Sequence, residues 1–171
     1  MLGSLRRYRW WVVGVLGLAL ASGVVLALTT PWERSVPPSR AREYLDFQAC
    51  LLTGADGLTD PDARPLWEGM QEASEATRAR VSYLAVEGEQ SAGNAGPYLN
   101  ALLQRQCDIV LAAGPAQSVA VTESAGNRTD MRFVVVGDAE GLPSNVTALD
   151  DGTPEELKTQ TAELVEEIVG N

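Results

Sequence analysis

Asp56, Asp60 and Asp62 crowd into one short stretch, Gly54-Ala55-Asp56-Gly57-Leu58-Thr59-Asp60-Pro61-Asp62. Carboxylates this close can accept hydrogen bonds from a ligand, hold a cation or serve as acid and base. The chain has no His, which removes His-based triads and His-containing metal sites and leaves any acid–base work to carboxylates. The spacing DGLTDPD lacks the ligand series of an EF-hand, so calcium is poorly supported and no metal is expected. A structural role competes with all of these: Asp60 or Asp62 can cap a following helix at its positive end, with Pro65 near the first turn. No nucleophile–base pair accompanies the aspartates, so a hydrolase is the weakest hypothesis and the chain is not expected to be an enzyme.

Gly114-Pro115 and Gly137-Asp138 each follow an apolar run and, like the acidic loop, fit either a turn or a ligand rim. The candidate ligand contacts are therefore Asp56, Asp60, Gly114 and Asp138. There is no GxGxxG and no Walker-type loop, so no cofactor is expected. Asn127-Arg128-Thr129 and Asn145-Val146-Thr147 match glycosylation sequons, a pattern that arises easily by chance.

These residues sit among alternating elements. Strand-like runs are Phe47–Thr53, Val81–Val86, Asp108–Ala113 and Arg132–Val136, with Asn145–Leu149 as a weaker fifth. Between and after them come the helical patterns Leu66–Ala79, Tyr98–Gln106, Ala116–Ser124 and Pro154–Val169. Strands alternating with helices predict an α/β domain whose single parallel sheet is covered by helices on both faces. Right-handed crossovers favour a flavodoxin-like order of 2-1-3-4-5. The acidic loop then follows the carboxyl end of the first strand, where such folds place ligands.

Only two cysteines occur. Cys50 falls in the first strand and Cys107 at the start of the third, neighbours in the expected order. Adjacent strands lie about 4.8 Å apart, so a disulfide is feasible if the register aligns the pair; two buried free thiols are the alternative. With no CxxC, a redox or metal role is not supported.

The amino terminus places Arg6, Arg7 and Arg9 before nineteen uncharged residues, Trp10 to Leu28. At about 1.5 Å per residue that run spans roughly 28 Å, close to a bilayer core. The expected organisation is a cytoplasmic basic tail (1–9), a transmembrane or signal-anchor helix (10–28), a Pro-rich linker (29–45) and an extracytoplasmic domain (46–171). The protein is accordingly expected at the cell membrane as a single-pass protein with its C-terminal domain outside. Cleavage after Ala19-Leu20-Ala21, which would release the domain, is the alternative. From Asp46 onward seven Arg or Lys face twenty-one Asp or Glu, a balance of −14. Such a surface argues against nucleic acid or anionic lipid as a partner of the domain.

Four segments carry a family resemblance: Leu51-Leu52-Thr53-Gly54-Ala55-Asp56-Gly57, Leu66-Trp67-Glu68-Gly69-Met70, Cys107-Asp108-Ile109-Val110-Leu111-Ala112-Ala113-Gly114, and Arg132-Phe133-Val134-Val135-Val136-Gly137-Asp138. Together they resemble the amino-terminal lobe of basic membrane protein (BMP) family substrate-binding proteins. The resemblance covers roughly residues 46–150. It implies a lobe of the type 1 periplasmic-binding fold, in an extracytoplasmic receptor that presents a solute, commonly a purine nucleoside, to an ABC transporter. Where the family has a Ser-Phe-Asn element before the first helix, this chain has Asp60-Pro61-Asp62-Ala63-Arg64-Pro65, without the aromatic that would stack on a base. After Asn145-Val146-Thr147 it turns at Asp150-Asp151-Gly152 into a helix instead of crossing to a second lobe. Two functions are therefore carried forward: a membrane-anchored module for a small, nucleoside-like solute working with an ABC transporter, or a single lobe that has become a protein-interaction domain, for instance a homodimer.

Overall fold

Leu51 and Leu52 are adjacent in sequence and both 0% exposed. Successive side chains of a strand point to opposite faces, so this pair requires a sheet covered on both sides. In the computed structural model, which describes residues 43–170, that strand is β1 (Gln48–Thr53), flanked by β2 (Arg80–Ala85) and β3 (Ile109–Ala112), with β4 (Arg132–Val136) and β5 (Val146–Leu149) beyond β3. All pairings are parallel and the order is β2-β1-β3-β4-β5, as the strand–helix alternation predicts.

Four helices supply the crossovers: α1 (Ala63–Thr77), α2 (Ala92–Gln104), α3 (Pro115–Ala125) and α4 (Pro154–Gly170). Cys50, Leu52, Val110 and Phe133 pack against Leu99 and Leu102 of α2 and Val121 of α3. On the other face, Leu51, Leu111 and Val134 pack against Leu66 and Met70 of α1 and Val165 of α4. The alternation along each central strand thus builds two apolar layers.

Two helices begin three or more residues earlier than their apolar periodicity indicates, and α3 begins one residue earlier. Helix α2 starts at Ala92 rather than Tyr98, because the Ser91 hydroxyl accepts from Asn94 N at 3.4 Å and Pro97 is accommodated inside the helix. Helix α1 starts at Ala63 rather than Leu66 and stops at Thr77, where Arg78 turns left-handed at φ 68°.

Cys50 and Cys107 form a disulfide with Cα atoms 5.9 Å apart. The aligned in-sheet pair is corrected in one respect: Cys50 registers with Val110, and Cys107 precedes β3. Gln106, at φ 60°, bends the α2–β3 connection just before Cys107, so the bridge ties that connection to β1. The adjoining Asp108 carboxylate accepts from Gln48 N at 2.7 Å, and Asp108 N donates to Gln48 O at 2.8 Å.

The basic tail, the apolar run 10–28 and nearly all of the linker lie outside the described residues. Among the described residues no helix is long and apolar enough to cross a membrane.

Candidate functional cleft

After β1 the chain crosses to β2 on one side of the sheet, and after β3 it crosses to β4 on the other. A crevice opens at the carboxyl ends of strands that diverge in this way. Gly54 leaves β1 there and Gly114 leaves β3. Gly114 adopts φ +98°, a conformation that L side chains avoid, and this turn starts α3 with Pro115 at its first position.

The turn delivers Gln117, only 2% exposed, to the back of the crevice. Its Nε2 donates to Gln90 Oε1 at 2.9 Å and to Thr53 O at 3.4 Å. The amide orientations follow from the backbone. Gln90 Nε2 reaches two carbonyls, Val86 O at 2.8 Å and Gly88 O at 3.0 Å, so its nitrogen must be on that side and its oxygen must face Gln117. Gln117 must then present its own nitrogen to Gln90, which leaves Gln117 Oε1 as the free end. No described donor reaches that oxygen. Gln117 Oε1 lies against Gly114, where an added Cβ would stand 2.8 Å from it.

Asp60 approaches from the loop after β1. Its Oδ1 accepts from Asp62 N at 2.9 Å, and its main-chain oxygen accepts from Ala63 N and Arg64 N at 3.2 and 3.0 Å. Asp62 occupies the N-cap position of α1, but its side chain makes no capping hydrogen bond. Capping by Asp62 is therefore corrected: Asp60 organises the turn instead. Its Oδ2 has no described partner and lies 3.4 Å from where a Cβ on Gly54 would stand, with Gln90 Oε1 at 3.2 Å and Gln117 Nε2 at 3.9 Å. Polar atoms from three separate connections thus converge on a backbone with no side chain.

The resulting cleft holds about 280 Å³ and is lined by Asp56, Asp60, Gln90, Gly114 and Gln117, among others. An adjoining cleft of about 440 Å³ shares Asp62, Gly114 and Pro115 and continues over Pro65, Val136 and Leu157. Neither has a Lys or Arg in its lining. The structure thus places Asp56, Asp60 and Gly114 around one cleft, whereas Asp138 is exposed beyond β4 and lines neither. Among the described residues no group of three His, Cys, Asp or Glu is placed to hold a metal.

Gln90 and Gln117 were not legible as site residues. A glutamine gives no periodicity signal, and only the fold shows that Gln117 is buried.

No family model matches the chain, and no curated protein does. Among solved structures, a fragment of a protein assigned as a lipoprotein from Peptoclostridium difficile 630 superposes with a TM-score of 0.58 at 13% identity, covering 72% of this chain and 97% of that one. The lysine decarboxylase LdcF of Francisella novicida gives a TM-score of 0.44 at 9% identity, covering 75% of this chain and 18% of that one. An FMN-dependent NADH-azoreductase from Bacillus anthracis str. Ames Ancestor gives 0.39 at 8% identity, covering 72% of this chain and 98% of that one. At 13% identity, the likeness to the first of these is one of fold: a single α/β lobe of nearly the same extent.

Proposed function

We propose that this chain is a membrane-anchored, extracytoplasmic lobe of BMP type that holds a small solute at the crevice between β1 and β3 and works alongside an ABC transporter. The observation that carries this reading is the buried Gln117, fixed by Gln90 and Thr53 in the lining of the cleft. A buried amide held in one orientation is a recognition element, because ligand specificity rests on a few positioned polar groups in a concave site. The Cys50–Cys107 disulfide fits an oxidising compartment outside the cytoplasm. Asp56, Asp60 and Gly114 form the site.

The competing reading is an interaction lobe. It draws on Val119, an aliphatic residue 47% exposed in the second turn of α3. A thermal-shift screen of the full chain in detergent against nucleosides, bases, sugars, amino acids and amines separates the two. A ligand at a hundredfold excess over its Kd adds about 2.7 kcal/mol, a readily visible shift. A hit weakened in Asp60→Ala or Asp56→Ala supports the solute-binding lobe. If no class stabilises the protein, that reading falls and the interaction lobe takes its place.

A further inference from the structure

The two edges of the sheet differ. The β5 edge is four residues long and closed from within: Val146 N donates to Pro143 O at 2.9 Å, Asp150 N donates to Gln160 Oε1 at 2.9 Å, and Gln160 Nε2 donates to Asp150 O at 3.5 Å. The β2 edge has no such cover. Arg80 N and Val86 N both donate to the β1 side, to Phe47 O and Thr53 O at 2.9 Å. Alternation between these two ends turns the N–H and C=O groups of Val81, Tyr83 and Ala85 away from the sheet, where no described group meets them. Beyond Arg80 at its start, β2 has no charge, no Pro and no bulge, the devices that keep an exposed edge from pairing.

We infer that two copies of this chain pair through their β2 edges, antiparallel, joining two five-stranded sheets into one. A two-fold axis presents the same edge from both copies, and an antiparallel ladder is the arrangement that accepts it. With the axis at Tyr83, each Tyr83 faces its counterpart and Val81 faces Ala85 of the other copy, so every outward N–H meets a C=O. The same register sets the Arg78 and Arg80 end of one copy beside the Glu87 and Glu89 end of the other. Arg78, Glu87 and Glu89 are exposed there. A strand basic at its start and acidic past its end complements itself only when antiparallel, and this match selects a second copy over a foreign strand. On the α1 face, Tyr83 is 45% exposed with its ring 5.6 Å from that of Trp67. Pairing covers it with the other Tyr83, an aromatic cross-strand pair. The contact uses none of the cleft residues, so it stands or falls separately from the solute-binding reading.

The test is sedimentation velocity of the full chain in detergent, read beside cysteine cross-linking. Wild type is expected as a dimer, and Tyr83→Lys, which sets two cations face to face, should weaken it about tenfold or more. Val119→Lys, at an exposed position of α3, should leave it unchanged. Both native cysteines are held in the buried disulfide, so an introduced thiol reports alone. Under an oxidant, Tyr83→Cys should cross-link to its counterpart, since facing Cα atoms lie about 5.5 Å apart, within disulfide reach. Val81→Cys and Ala85→Cys should each fail alone, their counterparts being about 13 Å away, and cross-link when mixed. These cross-links decide the register even if Tyr83→Lys fails to fold. A monomeric wild type overturns the inference and leaves the edge to a strand from another protein. A dimer that gives no Tyr83→Cys cross-link, or that Val119→Lys disrupts and Tyr83→Lys does not, also overturns it, because the copies then meet elsewhere.

Discussion

Gln117 Nε2 donates to Gln90 Oε1 at 2.9 Å, tying the start of α3 to the loop after β2 across the end of β1, the strand that lies between them. Because Gln117 is 2% exposed, its Nε2 has little access to water as a substitute partner. Gln117→Ala should destabilise the domain by about 1–3 kcal/mol. Gln90→Ala should cost less, since Gln117 keeps Thr53 O and Gln90 itself is exposed. Urea unfolding of both single variants and the double variant measures the coupling, expected near 1 kcal/mol. Additive single effects would show that the two amides do not act as a pair.

The disulfide closes a 57-residue separation. In the chain-entropy account, that loop contributes about 4 kcal/mol by restricting the unfolded chain. Unfolding in urea with and without dithiothreitol should show that difference. Cys50 and Cys107 are 0% and 2% exposed, so reduction should also be slow until urea opens the fold. Fast reduction of the native protein at neutral pH would contradict the buried bridge.

Gly69 marks the closest approach of α1 and α4. A Cβ at this position would collide with Lys158 O and stand 2.7 Å from Thr161 Cβ. Lys158 O is backbone, so it cannot swing aside as a flexible side chain would. Gly69→Ala should therefore lower stability by about 1–3 kcal/mol despite the better helix propensity of Ala. Gly96→Ala, in α2 with open space around the new Cβ, should be stabilising by a few tenths of a kcal/mol to about 1 kcal/mol. Opposite signs in thermal melts of the two variants are the expected outcome.

Asn145 fits a glycosylation sequon in sequence and serves as a clamp in the structure. Its Nδ2 donates to Ala125 O, Arg128 O and Met131 O at 3.1, 2.9 and 3.0 Å, holding the α3–β4 connection. A nitrogen so engaged has no room for a glycan. Asn145→Ala should cost about 1–3 kcal/mol, and Asn145→Asp more, because a carboxylate would face three carbonyl oxygens. If the Asp variant melts with the wild type, the clamp is not contributing.

The sheet was readable because burial writes itself into sequence: Leu51-Leu52 and Ile109-Val110-Leu111 must be apolar throughout to serve two helix layers. The strand bounds agree to within one residue for the same reason. The site was readable in part. Asp56, Asp60 and Gly114 follow strand ends, and topology brings strand ends together. Gln90 and Gln117 were not, because their role depends on a hydrogen bond between residues 27 positions apart that no local pattern records. The Cys50–Cys107 pairing could be anticipated, but its geometry could not, since the bend at Gln106 displaces Cys107 from β3.

The start of α4 provides a pH test that leaves the cleft intact. Thr153 and Glu156 cap it reciprocally: Glu156 Oε2 accepts from Thr153 N at 2.8 Å and from its hydroxyl at 2.9 Å, while Thr153 Oγ1 accepts from Glu156 N at 3.3 Å. The bonds from the Thr153 backbone and then its hydroxyl hold the Glu156 carboxyl below its ordinary 4.5. A carboxylate whose folded value is depressed stabilises the fold above its unfolded value, and the contribution is lost as pH falls through the folded value. Wild type should therefore melt above Glu156→Ala at about pH 7, with the gap closing as the pH falls below the ordinary 4.5 and through the depressed folded value. The Ala variant still lacks one capping partner at every pH, so a small residual gap persists in acid, where protonated Glu156 can accept a weaker bond. A gap that widens on acidification would reverse the sign of the linkage and exclude Glu156 as the titrating cap.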